Sequence, residues 1–312
     1  MWKQNCWVKA LCAGLCLLLL VGCSRSAPLP AVTETVTVVD ALGREVTVGR
    51  KPARVAALIG SFAEVWQLAG GTICAAPEDA WDEFGLELGD AVSIGGAHSP
   101  TTELVLAAHP ELVLASASTA ADVAMKETLE AAGITVLYFD VDNFEEYLAM
   151  LKICTDITGR ADLYEQNGVR VQTEIERIKA AFSASDAPRT VLLLRASSGS
   201  VKAKGSRGTV LGEMLSDLGC VNIADSDTTL LENLSVEAVL RRNPYRIFAV
   251  TMGDETAAAE NVSQMMEEDP AWASLEAVKN GRLHVMDRRL FNLKPNARWA
   301  EAYETLCDLL CA

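Results

Sequence analysis

Two series of short apolar runs alternating with helical segments lie on either side of one long proline-free helical stretch. That pattern constrains the fold of this chain more than any other feature. Between 54 and 159, apolar runs at 54–59, 72–76, 112–115 and 135–139 alternate with helical spacing at 61–69, 100–108, 121–132 and 144–158. Gly70, Gly133 and Gly159 follow three of these helices, where glycine accepts the left-handed backbone of a helix end. The stretch 160–182 has Leu163, Val169, Ile175 and Ile178 at helical spacing and no proline, predicting one helix ~35 Å long at ~1.5 Å per residue. The alternation then restarts. Runs at 190–194, 246–251 and 282–286 read as strands, and 209–218, 236–242, 261–267 and 297–310 as helices. Strands that alternate with helices predict parallel sheets covered on both faces.

The expected fold is therefore α/β, with two Rossmann-like lobes joined by a single long helix. The expected divisions are an N-terminal lobe at 38–159, the inter-lobe helix at 160–184 and a C-terminal lobe at 185–312. A weak internal repeat supports two equivalent lobes. Glu103 stands seven residues before Pro110 and Glu237 seven before Pro244, and each proline is followed by an apolar run. Each unit reads as a short helix, a proline-marked turn and a strand. Before the first lobe, 36–39 and 45–48 read as a hairpin around Gly43.

The N-terminus reads as an address. Lys3 and Lys9 precede an apolar stretch at 11–21, too short to span a bilayer and suited to a signal peptide. It ends in Leu20-Val21-Gly22-Cys23 with polar Ser24-Arg25-Ser26 behind, which resembles the lipobox of bacterial lipoproteins. The resemblance implies a signal peptide at 1–22, lipidation of Cys23 and a Ser/Thr/Pro-rich tether over 23–37. Acyl chains anchor through ~0.8 kcal/mol per buried CH₂. Loss of 1–22 leaves 25 basic residues against 42 acidic ones, a net charge of −17, which argues against nucleic acid as a partner. Cys74, Cys154, Cys220, Cys307 and Cys311 remain, an odd number whose spacing fits no zinc pattern. Most read as small buried apolar residues.

Over about 36–312 the chain resembles the substrate-binding lipoproteins of ABC importers, in the group built on a rigid inter-lobe helix. The resemblance is carried by the segment 38–48, Pro52-Ala53-Arg54-Val55, Ser61-Phe62-Ala63-Glu64 with Leu68-Ala69-Gly70, and the two Glu-to-Pro units. Ala271-Trp272, Leu275, the segment 277–282 and Lys294-Pro295-Asn296-Ala297-Arg298-Trp299 complete it. It implies capture of a ferric siderophore, haem or cobalamin on the extracytoplasmic face of the membrane. Delivery would be to a permease dimer served by separate ATPase subunits. It also implies that Glu103 and Glu237, one per lobe, dock arginines of the permease. Two fixed carboxylates suit a two-fold cationic partner; a carboxylate in a helix's first turn also suits the dipole by ~0.3–1 kcal/mol.

Ligand-binding candidates come from charge and position. The segment 195–207 holds Arg195, Lys202, Lys204 and Arg207 with no acid, and follows a strand; α/β sheets bind ligands beyond the carboxyl ends of their strands. A second basic segment contains Arg288, Arg289, Lys294 and Arg298, of which Arg298 is expected to brace the last helix. Two cationic segments in an acidic chain point to an anionic ligand. Trp81, in the loop at 77–89, and His98, just before the Glu103 helix, are further candidates. Trp66, Trp272 and Trp299 are expected in the core, His109 at the surface and His284 in packing. Three scattered histidines do not make a metal site. No cofactor is expected. An enzyme on the same scaffold, such as a chelatase or reductase, is the competing class. It finds no Gly-rich phosphate loop, nucleophile elbow or metal triad here.

Overall fold

The computed structural model describes residues 34–96, 99–183 and 187–312. The expected signal peptide, Cys23, most of the expected tether and His98 lie outside these residues. The first strand, β1 (Thr35–Val39), begins inside the expected tether and pairs antiparallel with β2 (Glu45–Gly49). Asp40 shapes the turn between them. Its Oδ1 accepts the backbone N–H groups of Leu42 and Arg44, and Gly43 takes φ 73°. Arg44 then reaches out to the carbonyl of Val136, to Glu130 and over the ring of Tyr138, tying the hairpin to the first lobe.

The first sheet contains β3 (Val55–Ala57), β4 (Ala75–Ala76), β5 (Val92–Ser93), β6 (Leu112–Ser116) and β7 (Thr135–Phe139). All are parallel, in the order β5-β4-β3-β6-β7. The second contains β8 (Thr190–Ser197), β10 (Val221–Asn222), β11 (Arg246–Thr251) and β12 (Leu283–Val285). They are parallel in the order β10-β8-β11-β12. Every residue of β6 and β11 is buried, as a sheet covered on both faces requires. Two-residue strands such as β5 and β10 carry no periodicity, which is why they are invisible in the sequence.

Alternation along the strands divides the core. Leu192, Leu194, Ile247 and Ala249 pack on one face of the second sheet, inside the C-terminal lobe. Leu193, Phe248 and Val250 face the other way. They share a cluster with Phe62 and Leu112 of the first lobe and with Ile175, Ile178 and Phe182 of the connecting helix. The lobes are therefore welded by one apolar core, with Trp66 and Trp299 fully buried in it and Trp272 buried in the C-terminal lobe, as expected. A Cβ on Gly71 would sit 2.1 Å from Trp66 Nε1, so only glycine fits there.

The connecting stretch spans 23 residues, Ala161–Tyr164, Glu165–Val169 and Arg170–Ser183. It departs from the expected plain α-helix by a π-helical turn over Glu165–Val169. Packing explains the turn. Asn167 is drawn inward, its side chain donating to the carbonyl of Leu68 while its own carbonyl accepts from the Tyr147 hydroxyl at 2.9 Å. A widened turn persists when outside groups satisfy the backbone it frees.

Three other expectations need revision. The run 121–132 breaks at Met125 into Ala120–Ala124 and Lys126–Ala131. The helix expected from 261 starts at Glu255, where Asp254 caps it by accepting from Ala257. The basic stretch 195–207 is largely a hairpin rather than a loop: β8 runs on to Ser197 and β9 (Ser200–Lys204) folds back antiparallel along it. The two Glu-to-Pro units do form equivalent structures. Helices Thr102–Ala107 and Val236–Arg242 each end before a left-handed residue, His109 at φ 46° and Asn243 at φ 44°, followed by the proline.

Candidate binding cleft and docking carboxylates

Segments that follow the carboxyl ends of the strands meet between the lobes. Three ion pairs mark the meeting. Arg288, just after β12, lies 2.9 Å from Glu83, just beyond β4; Arg289 lies 2.5 Å from Glu64; and Lys294 lies 2.7 Å from Asp142, just beyond β7. All six side chains are partly buried. Arg289 also lies 4.2 Å over the ring of Phe84 and donates to the Lys294 carbonyl. Asn296 reaches the Ser61 carbonyl and Glu64. A cavity of about 330 Å³ opens beside this seam, its lining including the carboxylates of Glu83, Glu255 and Asp287 as well as Met286, Arg288 and Arg289.

Beside the seam the β8–β9 hairpin presents its charge. Arg195 stands opposite Lys202, and Leu193 opposite Lys204, so period-2 alternation puts Arg195, Lys202 and Lys204 on one face. None of the three has a carboxylate partner among the described residues. The Nε of Arg195 is buried without an acceptor. Burial lowers the affinity of Arg195 for its proton, and Asp142, across the gap, partly restores it. Burial lowers the Lys204 pKa too, with Arg195 and Lys202 adding repulsion. Three like charges crowded on one face, short of counter-charge, are equipped to take an anion.

The other expected residues are placed differently. Arg207 is exposed and lies 3.4 Å from Glu213. Arg298 pairs with Glu301 in the first turn of the last helix, as expected. Trp81 sits in the short helix Asp79–Asp82, half-buried against the shared core. His109 is at the surface, and His284 stacks on Phe248 with ring centroids 5.4 Å apart. The sequence reading missed Glu64, Glu83, Phe84 and Asp142. None of the four carries a signal of a site in the sequence, and only the fold brings them to the cations of the other lobe.

Glu103 and Glu237 are both exposed in the first turn of their helices. The backbone N–H of Glu237 itself, and then the Ser235 hydroxyl donating at 2.9 Å, hold the Glu237 carboxyl below its ordinary pKa. Among the described residues no group of three or more His, Cys, Asp or Glu side chains is placed to hold a metal ion, and no helix is long and apolar enough to cross a membrane. The five described cysteines are free thiols; Cys154 and Cys307 are buried, Cys74 and Cys220 half-buried and Cys311 exposed.

Two Rossmann-like lobes on a single connecting helix, with polar side chains gathered between them, define a two-lobed solute-binding protein. Residues 55–290 match the periplasmic binding protein family, and the chain belongs to it. It is 26% identical over 319 residues to an uncharacterized ABC transporter substrate-binding lipoprotein, YvrC, of Bacillus subtilis, covering 98% of this chain and 96% of that one. Its fold is similar to that of IsdE of S. aureus complexed with heme (TM-score 0.70, 17% identity, 83% of this chain and 99% of that one). It is also similar to the catecholate-siderophore binding protein VctP of Vibrio cholerae (TM-score 0.68, 17% identity, 88% and 99%). Proteins of this family bind and pass on substrates in transport, and are not enzymes.

Proposed function

We propose that this protein is a lipid-anchored receptor on the extracytoplasmic face of the membrane. It captures an anionic iron chelate, a ferric siderophore foremost, and delivers it to an ABC permease dimer with its ATPase subunits. The observation that carries the ligand reading is the unpaired cationic face of Arg195, Lys202 and Lys204 beside the inter-lobe seam. Arg288, on the inter-lobe seam, joins them when an anionic ligand replaces Glu83 as its partner, and Trp81 is the proposed aromatic contact. Arg207 and His98 are the further candidates for ligand contact. Haem or a corrinoid is the alternative ligand, since haem carries propionates and cobalamin a phosphate. The likeness to a heme-complexed protein favours keeping haem in view. A metal-chelate enzyme on this scaffold ranks behind these.

Glu103 and Glu237 are proposed as the docking carboxylates. They occupy the same place in the two repeat units and are both exposed. Anchoring is assigned to lipidated Cys23, and the division into lobes at 38–159 and 185–312 follows the strand series. The lobes share a core and are bridged by three ion pairs, so capture proceeds with lobe rotation of only a few degrees and local adjustment of loops.

The deciding experiment is the visible absorption spectrum of protein purified from its native host. A siderophore charge-transfer band supports the first reading, a Soret or corrinoid band selects the alternative, and catalytic turnover of any bound chelate overturns the receptor reading.

A further inference from the structure

At the opposite end of the second sheet from the cleft, two arginines stand side by side. Ile247 of β11 pairs with Leu283 of β12, and its N–H donates to the carbonyl of Arg282, which places Arg246 next to Arg282 one residue earlier. Both guanidinium groups lie over one ring, that of Tyr245, at 4.9 Å and 3.7 Å from its centroid. Arg246 is only 2% exposed, yet its Nε and Nη1 have no hydrogen-bond acceptor. The buried Nε of Arg282 and Nε2 of His284, on the flank, also lack one. Among the described residues no carboxylate pairs with either arginine.

The internal repeat shows that the fold does not require this charge. The residue two places after the repeat proline is Arg246 in the C-terminal lobe and Leu112, fully buried, in the N-terminal one. Leu112 stands beside Thr135, where Arg246 stands beside Arg282. Like charges on adjacent strands repel, and a buried charge without a partner is costly unless something compensates it. Guanidinium pairs recognise oxyanions through parallel N–H donors.

We propose that Arg246 and Arg282, flanked by His284, form a binding site for a small tetrahedral oxyanion of the phosphate or sulfate type. The site is remote from the cleft and independent of the ligand proposed there. Arg246 supplies the buried donors, and the half-exposed Arg282 and His284 form the entrance.

The test is thermal unfolding of the protein, dialysed into chloride buffer, against rising inorganic phosphate or sulfate at constant ionic strength. The wild type should show a saturable rise, roughly 5 °C at a hundredfold excess over Kd. Arg246→Met and Arg282→Met should lose it. In chloride alone Arg246→Met should melt no lower than the wild type, because it removes a buried charge that no carboxylate among the described residues pairs. Arg195→Ala should keep the rise, which separates this site from the cleft cations. An equal rise in wild type and variants, or none beyond chloride, overturns the proposal. If Arg246→Met does not fold, saturable ³¹P line broadening by the wild type and its loss in Arg282→Met decide the matter, and a wild type that leaves the phosphate line unchanged overturns the site.

Discussion

Arg195 and Arg288 carry the same charge and border the same gap, yet their situations differ. Arg288 has a carboxylate, Glu83, and the carbonyl of Gly253. Both keep a buried Nε with no acceptor, but Arg195 has no carboxylate partner among the described residues and has two lysines beside it. An anion therefore gains more at Arg195, where no existing bond must break. Replacing Arg195 by alanine should weaken binding of an anionic chelate by about 1.5–3 kcal/mol, or roughly 10- to 150-fold in Kd, as read by quenching of tryptophan fluorescence. Arg207→Ala, already exposed and paired, should change it less than threefold. Lys204 adds a pH signature. Burial, Arg195 and Lys202 lower its pKa in the free protein, and a bound anion reverses the repulsion. Affinity should thus fall with rising pH in the alkaline range before an ordinary lysine would titrate, and a Lys204→Met variant should lose that fall.

At the scale of single elements, two buried groups act on backbone. The π-helical turn in the connecting helix rests on the Tyr147 hydroxyl, which donates to the Asn167 carbonyl. Tyr147→Phe should cost about 1–3 kcal/mol in urea unfolding, the penalty of a buried acceptor left unpaired. Asp122, in the helix Ala120–Ala124, is fully buried; its Oδ2 accepts from the Ser116 N–H and its Oδ1 has no partner. Burial raises its pKa from 3.8 to about 6. The folded protein therefore holds this proton more tightly than the unfolded chain. The associated stability is full below about pH 4 and is lost as pH rises toward 6, a difference on the order of 3 kcal/mol. Asp122→Asn should remove that slope. Parallel slopes for variant and wild type over this range would rule the assignment out.

For the whole molecule, docking and capture should be separable, because the two glutamates lie on helices that follow β5 and β10 rather than in the seam. The double variant Glu103→Ala/Glu237→Ala should abolish uptake in cells and leave ligand affinity within a factor of two; a loss of ligand binding would refute the docking role. The seam itself is a mechanical element. Arg289 ties Glu64, Phe84 and the Lys294 carbonyl together across the lobes. Arg289→Met leaves Glu64 with Asn296 alone among the described residues and should lower the melting temperature by several degrees, with the effect diminished in the wild type at high salt.

Local pattern was enough to announce most of this architecture. Apolar runs four to six residues long, glycine stops and a proline-free helical stretch depend on neighbours along the chain, so they are written in order and can be read in order. The repeat units around Pro110 and Pro244 were legible for the same reason, as were the buried tryptophans. What decided the site was contact between residues far apart in the chain. The cation run after 195 became a hairpin with a charged face because β11 fills one edge of β8 while β10 pairs only with Thr190 and Val191 on the other, leaving the rest of that edge for β9. The second cation run lost its freedom to Glu64, Glu83 and Asp142, carboxylates indistinguishable in sequence from any others on the surface. Arg246 reads as an ordinary strand residue until the packed sheet shows it sealed beside a second arginine, with no carboxylate paired to either among the described residues. Local spacing carries propensity and periodicity; the pairing of distant charges is a property of the folded chain, and here that pairing separates a cation that braces the lobes from one left to meet a ligand.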